Sequence, residues 1–365
     1  MPVFFGEKMD LETKIDLVKR KPTEEIVTEA DLREIFETYA HPKHYIGFEI
    51  SGMVHLGSGL CTMLKLKDFL EAGIKPTIFL ADYHAWINGK LGGDLEAIRK
   101  VANGYFKHAF VSLGLPEDKV DYVLASTIYD AGYWKDVLNI AKDTTVNRML
   151  RCITIMGRKE SDSMSSAVIF YPAMQAADIF KLDVQIAHAG MDQRKVHMLA
   201  REVAPKFKKK FVAVHGHLLP GLQGGARMDP TKPVSEDASL EAKMSKSKPG
   251  SAIFIHDSEA EIQDKIKKAF CPEKVCEGNP IFETAEYLIL RDKPLKVERP
   301  AKFGGDIEFA DAAELGKVYA DGKLHPMDLK NAVARELIAM LKPSRDYFAK
   351  HEEYLKQIGE AAITR

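Results

Sequence analysis

The sequence predicts an α/β fold: a Rossmann-like parallel sheet with a region inserted into it, followed by a mainly α-helical C-terminal part. Short, fully apolar runs such as Thr77–Ala81 are typical of buried parallel strands. Amphipathic stretches with helical spacing separate these runs, and from Glu259 onward the pattern is mainly helical. A chain of 365 residues with 45% hydrophobic content is long enough for two or three domains.

The predicted strands and helices alternate along the chain. Thr28 and Asp31 have capping-box spacing ahead of apolar residues, so a helix is expected from there to Tyr39, with Pro42 ending it. Strands are expected at 45–50, 77–81, 122–125, 184–187 and 211–214. Further helices are expected at 60–70, 95–113, 134–150 and 167–180, after residue 192, from 259 onward and over 324–341. This βαβ alternation is typical of a parallel sheet.

A glycine-rich turn joins the first strand to its helix. Gly52, Gly57 and Gly59 allow the backbone to turn tightly, and the N-terminus of the following helix faces the turn. Helix N-termini attract anions, and His55 adds a hydrogen-bond donor at that end. These residues indicate a candidate nucleotide-phosphate site, although such a turn is more often an ordinary connection. An ordinary strand-to-helix connection is the alternative that the turn alone leaves open.

A lysine-rich loop is the second motif. Lys243 and Lys246 belong to the run KMSKS, in a polar stretch between Pro220 and Gly250. Two such lysines can close over a triphosphate and neutralise the charge that develops on a pyrophosphate leaving group. A solvated basic loop is the alternative.

An HxG turn early in a parallel sheet, paired with KMSKS late in it, resembles the signature of class I aminoacyl-tRNA synthetases.

A polar stripe marks the predicted helix at 167–180. The stretch is apolar on almost every side, so it should be buried. Tyr171, Gln175 and Asp178 nevertheless share one face, at positions i, i+4 and i+7. Because a buried amide and carboxylate need partners, the stripe faces either a narrow strip of solvent or a polar pocket. The surrounding apolar surface favours the pocket.

Asp192 and Gln193 follow the strand at 184–187 and lie in the first turn of the next helix. Open α/β sheets bind ligands in the crevice outside the carboxyl ends of their strands. Asp192 can accept hydrogen bonds from ribose hydroxyls there, and Gln193 can contact an amino acid substrate. N-terminal capping of the helix by Asp192 is the alternative.

Five segments are similar to tyrosyl-tRNA synthetase of the archaeal and eukaryotic type: 45–49, 171–175 with Asp178, 190–195, 299–306 and 325–330. The resemblance covers nearly everything from Tyr45 to about Leu341. It implies ATP-dependent attachment of L-tyrosine to tRNA(Tyr) through a tyrosyl-adenylate. It also implies a homodimer formed through the insertion in the sheet. Mg²⁺ would accompany ATP without a dedicated metal site in the protein.

The resemblance also implies roles for individual residues. The tyrosine hydroxyl would be held by Tyr45 and Asp178, and the amino end by Tyr171, Gln175 and Gln193. The ATP contacts would be His55, Gly57, Gly190, Asp192, Lys243, Met244, Ser245, Lys246 and Ser247. The tRNA contacts would be Arg151 and Arg194 at the acceptor stem and Phe303, His325 and Asp328 at the anticodon. The catalytic groups would be His55, Ser58, Lys243 and Lys246.

Two features depart from the family pattern. The family's turn ends in a second histidine where this chain has Ser58, whose hydroxyl can still donate a hydrogen bond and share the phosphate-site work with His55. The loop at 223–241 is longer than expected before KMSKS, and we expect it to be disordered without substrate.

The resemblance divides the chain into three parts. We expect an N-terminal helical region at 1–43, a class I catalytic domain at 44–257 with its insertion at about 83–165, and a helical anticodon-binding domain at 258–365. In the last part, Asp328 as a helix cap with Phe303 buried is the alternative to anticodon contacts.

Composition sets the remaining limits. The 52 basic and 53 acidic residues nearly cancel, so contacts to tRNA must depend on local basic patches. One such cluster contains Arg148, Arg151, Arg158 and Lys159, and a solvated helix face is its alternative. Four scattered cysteines favour reduced thiols over a zinc site. Because the chain shows no membrane-length apolar run and no signal-peptide pattern, we expect a cytoplasmic protein without membrane contact.

Three other functions stay open on sequence. Tryptophanyl-tRNA synthetase shares the fold and the signatures, but an indole N–H does not need the Tyr45 and Asp178 pair. A small-molecule nucleotidyltransferase of the same superfamily would not explain the helical C-terminal third. A non-catalytic tRNA-binding relative would not need His55, Lys243 and Lys246.

Overall fold

The structure is a computed structural model that describes residues 9–156, 165–224, 243–244 and 250–363. Several predictions concern residues outside these ranges. They include the ATP contacts Ser245, Lys246 and Ser247, the basic residues Arg158 and Lys159, and most of the 223–241 loop. Lys243 and Met244, at the start of the KMSKS run, are described.

A six-stranded sheet organises the described part of the chain. Its strands are β1 (Thr23–Val27), β2 (His44–Glu49), β3 (Thr77–Ala81), β4 (Asp121–Leu124), β5 (Ile186–Gly190) and β6 (Val212–Gly216). They lie in the order β1-β6-β5-β2-β3-β4, with β1 antiparallel to β6 and all other neighbours parallel. The five parallel strands have the order of a Rossmann sheet. The predicted fold class is confirmed.

The strand order reverses between β2 and β5, where Tyr45 pairs with Ala187 and Ile46 with His188. In open α/β sheets this switch point is where ligands bind, outside the carboxyl ends of the strands. The His55 turn follows the end of β2, and Asp192 follows the end of β5. The topology therefore brings these two predicted ligand regions to one crevice.

Helices cover both faces of the sheet and form most of the C-terminal part. They are α1 (Leu11–Lys19), α2 (Glu29–Thr38), α3 (Thr62–Glu71), α4 (Asp82–Ile87), α5 (Leu95–Val101), α6 (Lys107–Ser112), α7 (Ala131–Lys142), α8 (Val146–Cys152), α9 (Tyr171–Lys181), α10 (Arg194–Val203), α11 (Glu259–Lys268), α12 (Pro280–Thr284), α13 (Ala312–Ala320), α14 (Pro326–Lys350) and α15 (Glu352–Ile363). Wide helical turns precede α3 at Gly57–Cys61 and α6 at Ala102–Phe106. Among the described residues, none of the helices is long and apolar enough to cross a membrane.

Local sequence signals explain several of these boundaries. The Thr28 side chain accepts a hydrogen bond from the Asp31 N–H and so caps α2, which ends at Thr38, ahead of Pro42. Pro172 lies in the first turn of α9, where its missing N–H removes no hydrogen bond. The predictions for these two helices are confirmed.

Other elements differ from the prediction. The expected helix at 134–150 is two helices, because the Thr145 side chain accepts from the Arg148 N–H and caps a new helix, α8. The N-terminal region also contributes β1, whose polar sequence gave no strand signal. In the C-terminal part, β7 (Leu295–Val297) and β8 (Ile307–Phe309) form an antiparallel hairpin.

Each face of the sheet has its own hydrophobic core, because successive strand residues point to opposite sides. Tyr45 and Phe79 pack with α7 and α9 on one face. Ile46 and Ile78 lie in the core of the other face, which continues into the C-terminal helices as far as Ala361. The C-terminal part therefore shares a core with the sheet.

Candidate active site

Asp178 lies at the centre of a buried polar cluster beneath the switch point. It is 1% exposed, and its Oδ1 accepts hydrogen bonds from the hydroxyls of Tyr129 at 2.9 Å and Tyr133 at 3.0 Å. Burial raises the pKa of Asp178 to about 8, although the two tyrosine hydroxyls act in the opposite direction. Its other oxygen, Oδ2, accepts no hydrogen bond from a described residue. A ligand with a hydroxyl group can satisfy it.

His84 forms a second side of this cluster. Its Nε2 lies 3.6 Å from Asp178 Oδ2, which is too far for a hydrogen bond, and both side chains are buried. Burial lowers the pKa of His84 to about 3, so the ring is neutral at physiological pH. The imidazole also packs edge-on against Tyr171, with 4.5 Å between ring centroids.

Tyr45 and Gly47 lie on the same face of β2. Tyr45 is 2% exposed, and burial together with the nearby Asp178 charge raises the pKa of its hydroxyl. Gly47 is exposed, although it lies within a strand of the sheet. A Cβ atom at Gly47 would lie 2.5 Å from Tyr45 Oη. Only glycine therefore leaves room beside the Tyr45 hydroxyl, and a glycine inside a strand is the sequence signal for such a close approach.

The other predicted tyrosine contacts form a hydrogen-bonded group. Gln175 Nε2 donates to Gln193 Oε1 at 3.2 Å, and Gln193 Nε2 donates to the Ile155 carbonyl at 3.0 Å. Tyr171 Oη donates to Glu49 Oε1 at 3.3 Å. Glu49 ends β2 at the switch point, so its place after an apolar strand was a signal for this site that the sequence analysis did not use. The stripe on α9 faces a polar pocket.

The His55 turn has a defined hydrogen-bond pattern. The Gly57 N–H donates to His55 Nδ1 at 3.2 Å, so the proton of the neutral ring lies on Nε2, which is then a donor. The His55 N–H donates to Ser58 Oγ at 3.2 Å. Ser58 therefore supports the turn that carries His55, and its own O–H stays available as a donor.

Backbone hydrogen bonds join the His55 turn to residues 253–255, which follow the KMSKS run. The Leu56 N–H donates to the Ile253 carbonyl at 3.0 Å, and the Ile255 N–H donates to the Val54 carbonyl at 3.1 Å. Met244, in the KMSKS run, is 4% exposed, and its N–H donates to the Leu219 carbonyl at 2.7 Å. The chain on both sides of residues 245–249 is therefore anchored next to the sheet.

Asp192 and Lys243 are in direct contact, with 2.6 Å between Asp192 Oδ2 and Lys243 Nζ. Asp192 does not cap α10, since no side chain caps this helix or the short turn before it. A Cβ atom at Gly190 would lie 2.6 Å from Asp192 Oδ1 and 2.7 Å from Leu218 Cδ2. Glycine at the end of β5 therefore lets Asp192 fold back over the strand.

The two residues predicted at the acceptor stem have different surroundings. Arg151 is exposed at the end of α8. Arg194 makes a bidentate ion pair with Glu25 of β1, with Nε–Oε2 at 2.8 Å and Nη2–Oε1 at 2.9 Å. Glu25 also contacts His215 Nδ1 at 2.8 Å. To contact RNA, the Arg194 guanidinium would therefore have to bind Glu25 and the RNA together, or leave Glu25.

The three predicted anticodon residues lie in one part of the C-terminal region. Phe303 is 60% exposed, so it is not buried. His325 caps α14, because its Nδ1 accepts from the Met327 N–H at 3.1 Å, and Asp328 lies in the first turn without being the cap. Arg299 joins the Phe303 loop to this helix start by donating to the Gly305 and Lys323 carbonyls at 2.9 and 3.0 Å.

The structure also adds residues that the sequence analysis missed. Tyr129, Tyr133 and His84 surround Asp178 but come from the inserted region, which is distant from α9 in sequence. Sequence spacing alone carried no signal for these contacts. Within the described ranges, no group of three or more His, Cys, Asp or Glu residues could hold a metal ion.

The chain is similar in sequence to known proteins. A sequence model of the tRNA synthetases class I (W and Y) matches residues 38–342. The tyrosine–tRNA ligases of Thermococcus kodakarensis and Pyrococcus abyssi are 52% and 50% identical to the chain, over 98% of its length and 100% of theirs.

Solved structures give the same result. The crystal structure of tyrosyl-tRNA synthetase complexed with L-tyrosine from Pyrococcus horikoshii has a TM-score of 0.91 and 49% sequence identity, covering 96% of this chain and 100% of that one. The tyrosyl-tRNA synthetase from Archaeoglobus fulgidus, also complexed with L-tyrosine, has a TM-score of 0.82 and 41% identity, covering 93% and 99%. The chain therefore belongs to the tryptophan and tyrosine family of class I tRNA synthetases.

Proposed function

We propose that the chain attaches tyrosine to tRNA(Tyr) in two steps. A carboxylate oxygen of tyrosine first attacks the α-phosphorus of ATP, the bond to pyrophosphate breaks, and tyrosyl-adenylate forms. A ribose hydroxyl of the terminal adenosine of the tRNA then attacks the activated carbonyl carbon, and AMP leaves. Identity of 52% to a tyrosine–tRNA ligase over nearly the whole chain supports both steps.

The choice of tyrosine depends on one observation, the buried Asp178 carboxyl with Tyr45 close by. A phenolic hydroxyl both donates and accepts hydrogen bonds, so it can satisfy Asp178 Oδ2 and the Tyr45 hydroxyl together. An indole N–H can only donate, and the side chain of phenylalanine can do neither. The alternative amino acids would therefore leave a buried polar group unsatisfied, which is unfavourable by about 1–3 kcal/mol.

The amino end of tyrosine would lie among Tyr171, Gln175 and Gln193. Their hydroxyl and amide oxygens can accept hydrogen bonds from an ammonium group. Glu49, which accepts from Tyr171 Oη, adds a carboxylate at the same end. This group holds the substrate amine by charge and hydrogen bonds, so the substrate carboxylate is directed toward the nucleotide.

The nucleotide would bind across the His55 turn. His55 Nε2 is a donor just before the helical turn that begins at Gly57, so it would donate a hydrogen bond to the phosphates. Lys243, with Lys246 of the same motif, would neutralise the charge that grows on the pyrophosphate. Asp192 would accept hydrogen bonds from the ribose once Lys243 exchanges its partner for phosphate. No covalent enzyme nucleophile is needed, because positioning and charge stabilisation carry the step.

Magnesium would accompany ATP as part of the substrate. Mg²⁺ usually keeps several waters and binds through substrate phosphates with one or two carboxylates, so no protein cage is required. We assign it no set of ligands in this chain.

The C-terminal part, 258–365, would bind the anticodon. Exposed Phe303 offers a face on which an unstacked base can rest, and His325 and Asp328 begin the neighbouring helix. Arg151 and Arg194 would contact the acceptor stem near the active site. Residues 44–257, with the insertion at about 83–165, would carry out the chemical steps. The region 1–43 supports the sheet through β1.

The chain would work as a cytoplasmic homodimer. Large apolar side chains are exposed within or beside the inserted region, and a second copy of the chain would cover them. They are Trp86, Trp134, Leu138, Val146, Ile169 and Phe170. We propose the cytoplasm as the location of the protein, because ATP and the tRNA used in translation are found there.

ATP–pyrophosphate exchange, measured with each of the standard amino acids in turn, tests the proposed chemistry. We expect exchange with tyrosine and little with any other amino acid. Faster exchange with tryptophan would favour the tryptophan branch of the family. Absence of exchange with every amino acid would contradict the adenylation step.

A further inference from the structure

Tyr105 lies outside the substrate site and connects two segments of the chain. One is the turn that carries His55, and the other is residues 253–256, which follow the KMSKS loop. It is fully buried, and its Oη accepts a hydrogen bond from the Val54 N–H at 2.9 Å. The same oxygen lies 3.2 Å from His256 Nε2. Val54 directly precedes His55, and His256 follows the segment that comes after the KMSKS loop. One phenolic oxygen therefore connects the residue before His55 to the segment that follows the KMSKS loop.

This bridge supplements the backbone pairing between the segments. Leu56 and Ile255 supply the N–H groups that pair the turn with residues 253–255, whereas the Val54 N–H finds its acceptor in Tyr105. Loss of the Tyr105 hydroxyl would leave the buried Val54 N–H unsatisfied, which the fold would avoid by shifting the turn. The turn that moves is the one that carries His55.

An irregular helical turn presents Tyr105 at this place. Between α5 and α6 the Lys107 N–H bonds to the Ala102 carbonyl, five residues back, so the helix widens by one residue over Ala102–Phe106. Wide turns of this kind are often found at functional sites. The Tyr105 ring packs against Phe348 of α14, with 5.4 Å between the centroids.

The last helix holds this wide turn from outside. Gln357 of α15 accepts a hydrogen bond from the Tyr105 N–H at 3.3 Å. A Cβ atom at Gly104 would lie 2.0 Å from Gln357 Oε1, so glycine is needed for the glutamine to enter. Lys100 pairs with Glu360 at 3.0 Å beside this contact.

We infer that Tyr105 is a positioning residue for adenylation: its hydroxyl fixes the His55 turn against the segment that follows the KMSKS loop, and α15 holds Tyr105 through Gln357. This inference rests on the proposed function, because its effect is seen in the adenylation step. It gives the C-terminal helix, which lies outside the substrate pocket, an influence on the geometry around ATP.

The test uses the full chain and ATP–pyrophosphate exchange with tyrosine. Tyr105→Phe removes only the hydroxyl, and we expect kcat to fall about five- to tenfold while KM for tyrosine stays within about twofold of the parent. Tyr347→Phe is the matched control, since it removes a hydroxyl bonded to His108 at 2.6 Å in the same region but away from the turn. Gln357→Ala should also lower kcat, by a smaller factor than Tyr105→Phe, and leave KM for tyrosine nearly unchanged.

The outcomes separate the inference from the proposed function. A parent chain without tyrosine-dependent exchange would overturn the proposed function itself. If the parent is active and Tyr105→Phe behaves like Tyr347→Phe, the positioning role is wrong. A loss for Tyr105→Phe that appears equally in kcat, in tyrosine binding and in a lowered Tm would show a merely structural role and would also overturn the inference.

Discussion

At the scale of single residues, the proposed selectivity for tyrosine depends on Asp178, whose carboxyl is buried and accepts hydrogen bonds on only one of its oxygens. One oxygen accepts from Tyr129 and Tyr133, while the other has no hydrogen-bond partner in the described part of the chain. A substrate hydroxyl in the pocket would complete the set. A substrate without a hydroxyl group would leave Asp178 Oδ2 without a hydrogen-bond partner.

The first prediction follows from this arrangement. Asp178→Ala should reduce the ratio of kcat/KM for tyrosine over phenylalanine by roughly 10- to 100-fold, which corresponds to about 1–3 kcal/mol for one buried hydrogen-bond partner. Exchange kinetics with both amino acids measure the ratio. Asp130→Asn is a suitable control, because it neutralises an exposed carboxylate that pairs with Lys181 of α9, the helix that carries Asp178. An unaltered ratio would remove Asp178 from the substrate pocket.

Ser58 supplies the second prediction. Its Oγ accepts from the His55 N–H, so Ser58→Ala should loosen the turn and slow adenylate formation about fivefold, as loss of one neutral hydrogen bond does. Tyrosine binding should not change, because Ser58 lies at the nucleotide end. Stopped-flow adenylation measures both quantities. A variant with the parent rate would mean that His55 works without support from Ser58.

The sequence could predict residues whose partners lie close along one element, and it could not predict contacts between distant segments. Tyr171, Gln175 and Asp178 were identifiable because a regular helix places positions i, i+4 and i+7 on one face. Tyr129 and Tyr133 were not, because they reach Asp178 only through the packing of α7 against α9.

At the scale of elements, strands and helices with strong periodicity were predicted well, and tertiary contacts decided the others. The polar strand β1 forms because β6 offers it a free edge. Helix α14 was expected to end near Leu341 but continues to Lys350 through Pro343. The buried side chains of Ser344 and Phe348 hold this last part against the core, which outweighs the local preference of proline.

The third prediction concerns the start of α14. Asp328 lies in its first turn and does not cap it, so its carboxylate is available for a guanine of the anticodon. Asp328→Ala should lower the rate of tyrosine transfer to tRNA(Tyr) by about tenfold, corresponding to roughly 1–3 kcal/mol for a base contact, and relax the preference for guanine. ATP–pyrophosphate exchange, which needs no tRNA, should keep the parent rate.

Asp346→Ala is the matched control for this variant. It removes an exposed carboxylate from the same helix, where Asp346 pairs with Lys342 at 2.6 Å near the other end. If both activities of Asp328→Ala fall together, Asp328 supports the fold and has no direct role at the anticodon.

At the scale of the whole molecule, the exposed apolar surface of the inserted region supplies the fourth prediction. Leu138 is 60% exposed and lies one helical turn from Trp134 on α7. Leu138→Glu would place a charge in the proposed dimer interface and should convert the dimer to a monomer at micromolar concentration. Light scattering after size-exclusion chromatography measures the mass. Val275→Glu, which changes an exposed valine of the C-terminal part, should leave the mass unchanged.

The proposed reaction needs three regions to act together: the surroundings of Asp178, the His55 turn with Lys243, and the C-terminal part with Phe303. The hydrophobic core on one face of the sheet continues into the C-terminal helices, whereas α9, which carries Asp178, packs in the core of the other face. The sheet, which lies between the two cores, therefore connects the proposed adenylation site to the proposed tRNA-binding part.

The most direct test of this account is the charging of a purified tRNA(Tyr) transcript by the full chain, with tyrosine and tryptophan supplied in parallel. We predict ATP-dependent transfer of tyrosine to the 3′ end of this transcript, and no transfer of tryptophan to it or to tRNA(Trp). Adenylate formation without transfer to any tRNA, or transfer of tryptophan to tRNA(Trp), would contradict the account.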